Sequence, residues 1–342
     1  LDRRGTSWGT PVRVAERGDV GKYPSLSLIN GNPAISYYDE TNGGLMFVRA
    51  LDAPGVFWGT PISIMAQTAD VLSVAIQPNG QVLVGGAFTQ LDGVERTRLA
   101  RLNENGSIDE NFRPLILNGE VRAIMVQSDG KIIVGGSFTT VRQNSAAVND
   151  LTLNRLARFN SDGTLDVSFD PNLNGDVRVL FAQPDGRFMV GGSFTTITGV
   201  GRSRFARLNS NGSLDTSFSS PDIRNGEVRS IVREESGSYV IGGSFPSVRG
   251  GGNRNRLARI SNTGSLDGFN PDANGDVNAI LLMPDGKLLV GGSFGAFAGG
   301  VQSRTRLARL NSNGTIDATF AQEVNGTVNQ LLLQSDGGIL VS

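Results

Sequence analysis

The sequence predicts an all-β protein assembled from repeated four-stranded antiparallel units. Three observations carry the prediction. A long phrase returns along the chain, its clearest copy being NGDVNAILLMPDGKLLVGGSF from Asn274 to Phe294, followed by RTRLARLNSNGTIDATF from Arg304 to Phe320. The Gly-Gly pair inside it recurs at Gly85, Gly135, Gly191, Gly242 and Gly291, at spacings of 50, 56, 51 and 49 residues, and a period of that size belongs to solenoids and propellers. The composition agrees, since 46 glycines in 342 residues, with abundant Asn-Gly and Asp-Gly pairs, describe short strands joined by tight turns. No stretch keeps helical spacing long enough to compete.

The N-terminal part carries a repeat of its own. LDRRGTSWGTP from Leu1 to Pro11 matches LDAPGVFWGTP from Leu51 to Pro61, which makes Trp8 and Trp58 equivalent. Between them YPSLSLI, NPAISYYD and GLMFVRAL read as three strands, with turns at Asn30-Gly31 and Asn42-Gly43-Gly44, and Pro61 to Ile64 makes a fourth. Residues 20–66 thus predict a divergent first blade, and residues 1–19 leave a spare outer strand.

Residues 70–322 hold five further units. In the second of them the strands are VRAIMVQ from Val121, KIIVGGSF from Lys131, NRLARFN from Asn154 and TLDVSF from Thr164. The first two are apolar on both faces, as a sheet sandwiched between neighbours requires, and sheets stacked in that way make a β-propeller. Inner strands are expected to begin at Val71, Val121, Val177, Val228, Val277 and Val328, with a seventh near Tyr23 to Ile29. Residues 323–342 supply two more strands, VNQLLLQ and GGILVS. The expected architecture is one domain over residues 1–342, a seven-bladed propeller closed by N- and C-terminal strands that share a blade. The start at Leu1 and the stop at Ser342, inside a repeated phrase, read as a segment of a longer polypeptide.

Turn chemistry sets the outer register. In LNENGSI from Leu102 to Ile108, a three-residue loop with Gly106 left-handed pairs Asn103 with Ser107 and brings Arg101 opposite Asp109. The same offset returns in Arg158 and Asp166, Arg207 and Asp215, Arg259 and Asp267, and Arg309 and Asp317. Five cross-strand ion pairs that lock blade edges are therefore predicted, since catalytic groups seldom repeat in every unit. Two phenylalanine series, Phe88, Phe138, Phe194, Phe245 and Phe294, and Phe112, Phe169, Phe218, Phe269 and Phe320, are spaced as wedges between sheets. The fourth unit departs from the pattern: REESGSYVIGG lacks the Asp-Gly turn and SLDGF is one residue short, which predicts a less regular blade.

Several function classes are excluded by residue type. With no cysteine and no histidine there is no disulfide framework, no thiolate, no Cys or His zinc site and no Ser-His-Asp triad. A net charge of −1 argues against attraction to nucleic acid or anionic membrane, and no apolar run is long enough for direct insertion into a bilayer. Of 31 basic residues only Lys22, Lys131 and Lys287 are lysines, a bias toward the planar fork that suits fixed carboxylate pairs. Oxygen-rich stretches at Asp170, Asn172, Asn174 and Asp176, and at Asp272, Asn274 and Asp276, lack the glycine position and the bidentate Glu of a calcium loop, so no metal and no cofactor is expected.

The succession DGK-(I/L)-(I/L)-VGGSF, RLARLN and (D/N)G-(S/T)-(L/I)-D-x-x-F resembles the delta-60 repeat family over residues 70–342. Those repeats are β-propeller modules found in many copies in large bacterial exported or surface proteins. GNPAISYYDETNGGLMFVRA, within residues 20–66, resembles another propeller-type repeat of bacterial surface proteins. The resemblance implies a fold and an extracellular or cell-surface setting; it brings no catalytic or ligand residues.

What varies between units is left for binding. In a propeller the loops leading into the inner strands share a face with those joining second to third strands. That face collects Glu120, Arg122, Asp176, Arg178, Glu227, Arg229 and Asp276, with Ser145 and Asp150 in the longest loop. The function expected is a non-catalytic module acting as scaffold or adhesive contact. Its partner would be a protein or cell-surface component, including other domains of its own parent chain. A glycan-binding propeller and a carboxylate-based hydrolase are the alternatives.

Overall fold

The computed structural model of the protein describes residues 20–29, 32–39, 44–49, 62–64, 70–91, 93–142, 150–249, 254–334 and 337–342, the first four stretches as strand backbone. They fall into two compact units, one reaching as far as Asn172 and the other running from Leu173 to Leu333 with Gly337–Ser342. Trp8 and Trp58, the strand expected within residues 1–19, and residues 143–149 lie outside the described residues.

The first unit opens with a four-stranded antiparallel meander, Val20–Ile29, Asn32–Asp39, Gly44–Arg49 and Ile62–Ile64. Two repeats follow. In the first, Val71–Ile76 pairs with Val82–Gly86, which pairs with Leu99–Leu102; in the second the strands are Val121–Val126, Ile132–Gly136 and Leu156–Phe159. Every residue of the two middle strands is buried, which accounts for their unbroken apolar sequence. The second unit contains three more repeats of the same kind. Their middle strands are Phe188–Gly192, Tyr239–Gly243 and Leu288–Gly292.

A full fourth strand over segments such as TLDVSF does not form. Leu165 makes a single bridge to Phe159, as Leu102 does to Ile108, and pairing stops there. The cause is the next residue: Asp166 Oδ1 accepts the backbone N–H of Ser168 at 3.2 Å and its hydroxyl at 2.6 Å, which bends the chain into a turn. Each repeat is thus a three-stranded sheet with a bridged edge, whereas the N-terminal sheet has four strands.

Two further expectations need correction. The last inner strand starts at Leu331, not at Val328, because Val328 donates its N–H to the Gly292 carbonyl at 3.1 Å and Asn329 donates to that of Ser342 at 2.7 Å. The fourth repeat is less regular only at its shortened edge, where Asp267 is 42% exposed and Phe269 N–H donates to its side chain, whereas the hairpin is as regular as its sisters. Glu234 N–H donates to the Ser238 carbonyl at 2.8 Å and Gly237 takes φ 85°, matching Gln127, Lys131 and Gly130 with φ 81°. A Ser-Gly pair closes this turn as well as Asp-Gly does, since the left-handed residue is glycine in both.

Both phenylalanine series are at most 1% exposed, so they wedge the sheets apart and none is free to stack on a sugar or base. Between the third and fourth repeats Phe205 and Phe218 meet edge to face at 5.8 Å, and Tyr239 of the next sheet approaches Phe218 at 6.3 Å. At Gly85, Gly191, Gly242 and Gly291 the first glycine of the pair receives the valine at the start of the following repeat, Val121, Val228, Val277 and Val328. A Cβ on Gly242 would lie 2.6 Å from Val277 Cγ1, and one on Gly191 would lie 2.8 Å from Val228 Cγ1. Sheet spacing is therefore set by the absent side chain. Gly242→Ala is expected to cost about 1–3 kcal/mol by overpacking, read as a lower urea midpoint with an unchanged slope.

Candidate functional site

Two polar systems are built on this frame. The first lies at the outer hairpins. Arg101 Nε is 2.8 Å from Asp109 Oδ2, Arg158 Nη2 is 2.9 Å from Asp166 Oδ2, Arg207 Nε is 2.7 Å from Asp215 Oδ2, Arg259 Nε is 2.5 Å from Asp267 Oδ2, and Arg309 Nε is 2.8 Å from Asp317 Oδ2. The same guanidiniums lie over Phe112, Phe169, Phe218, Phe269 and Phe320, 4.5–5.1 Å from the ring centres. Arg101 Nη1 also donates to the Ser161 carbonyl of the next repeat at 2.5 Å, and Arg207 and Arg259 reach Asn262 and Ser312 in the same way. One arginine thus holds its own hairpin, the ring beneath it and the neighbouring sheet.

A second cation supports the carboxylate in three repeats, Lys131 Nζ at 2.7 Å from Asp166, Arg187 Nη1 at 3.0 Å from Asp215 and Lys287 Nζ at 2.8 Å from Asp317. Lys131, Ser168 and Arg158 together hold the Asp166 carboxyl far below the ordinary carboxylate range. For Asp215, burial works in the opposite direction, but Ser217, Arg207 and Arg187 outweigh it and the carboxyl is again strongly lowered. These aspartates are fixed anions and cannot donate a proton near neutrality.

The second system is the rim at the other end of the sheets, where the chain leads into each inner strand. Its backbone is clamped. Asn118 Oδ1 accepts the N–H groups of Thr139 and Thr140 at 2.7 and 3.0 Å, and Asn174 and Asn274 do the same for residues 195–196 and 295–296. These oxygens are therefore spent on backbone. Just beyond, the inner strand of each of the five repeats carries a bulge, at Leu72, Arg122, Arg178, Arg229 and Asn278, opposite the Gly-Gly pair. A bulge turns its side chain out of the pleat.

In the second unit the bulged residues reach across to the next repeat. Arg178 Nε lies 2.8 Å from Glu227 Oε2, Arg229 Nε lies 2.8 Å from Glu227 Oε1, and Arg229 Nη1 lies 2.9 Å from both Asp276 Oδ2 and Asn278 Oδ1. Arg256 Nε closes on Asp276 Oδ1 at 3.2 Å. In this row each carboxylate bridges two guanidiniums. Burial would raise the Glu227 carboxyl, yet Arg229 and Arg178 hold it below its ordinary value. Chemically the row can present fixed donors and acceptors to a polar partner; its carboxylates are committed to arginines.

Of the other residues named from sequence for this face, Glu120 and Arg122 pair with each other in the first unit. Asp176 is anchored through its backbone, which exchanges hydrogen bonds with the hydroxyl and N–H of Ser193. Asp150 is exposed where the hairpin of Thr140–Arg142 and Leu151–Thr152 returns, and Ser145 lies outside the described residues. Asp70, which precedes the inner strand of the first repeat, has its carboxyl raised by burial and by Glu120.

Sequence reasoning passed over one recurring group. Arg98, Arg155, Arg204, Arg256 and Arg306 all take left-handed backbone, φ 62–67°, a conformation uncommon for a residue with a long side chain. Each donates its N–H to the carbonyl of the phenylalanine after the glycines and accepts the N–H of the second glycine. The side chains of Arg98, Arg155, Arg204 and Arg256 cap nearby carbonyls, Arg204 reaching Ile223 and Gly226 at 2.7 and 2.8 Å. The recurring arginine before LAR was the available signal, and periodicity alone does not disclose a positive φ.

This frame defines a β-propeller, a class that the comparisons support. The model of the domain of unknown function DUF5122 beta-propeller matches residues 77–112, 127–169, 183–218, 235–268 and 284–320, more than half of the chain, and the protein belongs to that family. No curated protein sequence matches. Among solved structures, the WD40 beta propeller domain of Doa1 is similar at 15% identity and TM-score 0.54, over 90% of this chain and 85% of that one. YCF48 bound to D1 peptide is similar at 15% identity and TM-score 0.52, over 90% and 86%. The extracellular domain of the putative hybrid two component system BT4673 from B. thetaiotaomicron is similar at 14% identity and TM-score 0.51, over 91% of this chain but 35% of that one. At these identities the likeness is one of fold.

The ion pairs differ in burial, and so should the effect of breaking them. The Arg158 and Asp166 side chains are 9% and 10% exposed, whereas Asp267 is 42% exposed. Asp166→Ala strands Arg158 and Lys131 and is expected to cost about 3–5 kcal/mol, against about 1 kcal/mol or less for Asp267→Ala, both by urea unfolding. Because the folded Asp166 carboxyl is depressed, its contribution is complete above the unfolded pKa near 3.9 and fades only below it. The gap between wild type and Asp166→Ala should hold from neutrality down to about pH 4 and shrink below that.

Proposed function

We propose that the chain is a non-catalytic propeller module that makes protein contacts through the polar rim, as scaffold or adhesive part of a bacterial extracellular or cell-surface protein. The observation that carries the reading is the row from Arg178 to Arg256, in which every carboxylate bridges two arginines. Such a surface is pre-arranged to exchange hydrogen bonds and lacks the pair of free carboxylates that glycoside hydrolysis needs. The buried phenylalanines weigh against a lectin, which would need an exposed ring. The succession of DGK, VGGSF, RLARLN and D-x-x-F supports membership of the delta-60 repeats and with it the bacterial surface setting. YCF48, similar in fold, was solved bound to a peptide, which fits a contact role.

A photo-crosslinking amino acid at Val200, exposed on the hairpin of Thr196–Ile197 and Val200–Gly201 in the same unit as the row, introduced in the native host, tests the rim. Protein adducts from this position, and few from Asp185 at the opposite end of the sheet, are expected. Glycan adducts, or protein adducts from Asp185 alone, would reject the assignment.

The same reading includes a seven-bladed ring, closed by residues 1–19 beside the ribbon Leu331–Leu333 and Ile339–Val341. Deleting residues 1–19 should lower Tm by several degrees, because an unclosed sheet edge is left exposed. An unchanged Tm would show that those residues close nothing.

A further inference from the structure

The fourth repeat differs from its sisters in the side chains of one hairpin. In the other repeats the residue after the hairpin glycine is Gln81, Lys131, Arg187 or Lys287, and its nitrogen lies 3.0, 2.7, 3.0 or 2.8 Å from Oδ2 of the repeated aspartate. In the fourth it is Ser238, too short to reach Asp267. At the start of the same hairpin the sisters carry Gln77, Gln127, Gln183 and Met283, while the fourth carries Glu234. A donor has been removed and an anion added, while Arg233, whose sister positions hold Ile76, Val126, Ala182 and Leu282, brings a guanidinium to the same turn, 3.4 Å from where a Cβ on Gly237 would lie.

A cavity of about 630 Å³ opens at this spot, lined by Glu234, Ser238 and Asp267 on one side and by Leu282, Met283 and Pro284 of the next hairpin on the other. Arg259 also lines it but is engaged, with Nε on Asp267 at 2.5 Å and Nη1 shared between the Ser312 carbonyl at 2.6 Å and Glu234 Oε1 at 3.4 Å, so that one cation faces two carboxylates. Asp285 adds a further carboxylate at the mouth.

We propose that this cavity binds an aliphatic primary ammonium, the side chain of a lysine or a free alkylamine, seated where Lys131 and Lys287 place their own ammonium groups in the sister repeats. Those two repeats display the ligand chemistry directly: the equivalent carboxylate grips an ammonium within 2.8 Å. Leu282, Met283 and Pro284 give a methylene stem an apolar wall. A guanidinium fits less well. Arg187 uses Asp185 as a second carboxylate for its fork, and the fourth repeat has Ser236 there. A divalent cation would want six or more oxygen ligands and would face Arg259. This site lies at the opposite end of the sheets from the polar rim and stands whether or not the rim contacts a protein.

The probes are 1,5-diaminopentane and the capped peptide Gly-Lys-Gly, with the norleucine peptide as neutral control. Binding to the full chain is followed through the backbone amides of Gly237, Ser238 and Gly286. Saturable shifts at millimolar concentration are expected for an amine probe and none for the norleucine peptide. Tighter binding of the lysine peptide points to a partner's side chain, and tighter binding of the diamine points to a free amine. Ser238→Lys, which rebuilds the sister arrangement, should abolish binding with Tm at or above that of wild type. Glu234→Gln should weaken it roughly tenfold, and decides the matter should Ser238→Lys fail to fold. Absence of saturable shifts with either probe, equal binding of the norleucine peptide, or undiminished binding in the folded variants would overturn the proposal.

Discussion

The structure depends on an arginine held in three directions at once. Arg101 and its four equivalents each meet the aspartate of their own hairpin and the phenylalanine that follows it, and three of them are seen to donate to a carbonyl of the next sheet. Each contact compensates a different cost. The carboxylate neutralises a charge that is almost fully buried, the ring replaces water on one face of the guanidinium, and the carbonyl uses a donor that would otherwise be stranded. Lysine could not substitute, because an ammonium has no flat face to lie on the ring and gathers all its donors on one atom.

Sheet spacing follows from a second constraint, the glycines that face Val121, Val228, Val277 and Val328 of the next repeat. With Val277 pressed against Gly242, the sheets come close enough for the phenylalanines to fill the gap and for Arg259 to reach Ser312. Close approach and arginine bridging are therefore coupled. That coupling is why the period tolerates an insertion of several residues in the second repeat's loop but shows no variation in the glycine, phenylalanine and arginine themselves.

Much of this was legible because the chain states it five times. The offset of eight between arginine and aspartate follows from counting through a turn whose glycine must be left-handed, and the apolar run of the middle strand announces burial on both faces. Other features were hidden for definite reasons. TLDVSF has strand composition, but Asp166 captures the N–H of Ser168 and ends the pairing after one bridge, a competition that propensity does not register. The bulges at Arg178 and Arg229 were invisible because a bulge leaves the alternation of neighbouring residues nearly intact. Only the register shows that these side chains turn toward the next repeat.

A repeated frame also explains where specificity can accumulate. Positions that bind one sheet to the next, such as Gly242 or Arg207, serve two sheets and cannot change alone. Positions that serve one sheet can drift. Residue 238 is of the second kind: its sisters support an aspartate that already has an arginine, so losing the second donor leaves the primary pair intact. The one-residue shortening of SLDGF acts in the same direction by leaving Asp267 far more exposed than Asp166 or Asp317. Asp267 and Glu234 share the one guanidinium of Arg259, at 2.5 and 3.4 Å, and the charge it leaves uncompensated is tolerated because the cavity keeps Asp267 open to solvent, an opening that also admits a cation from outside.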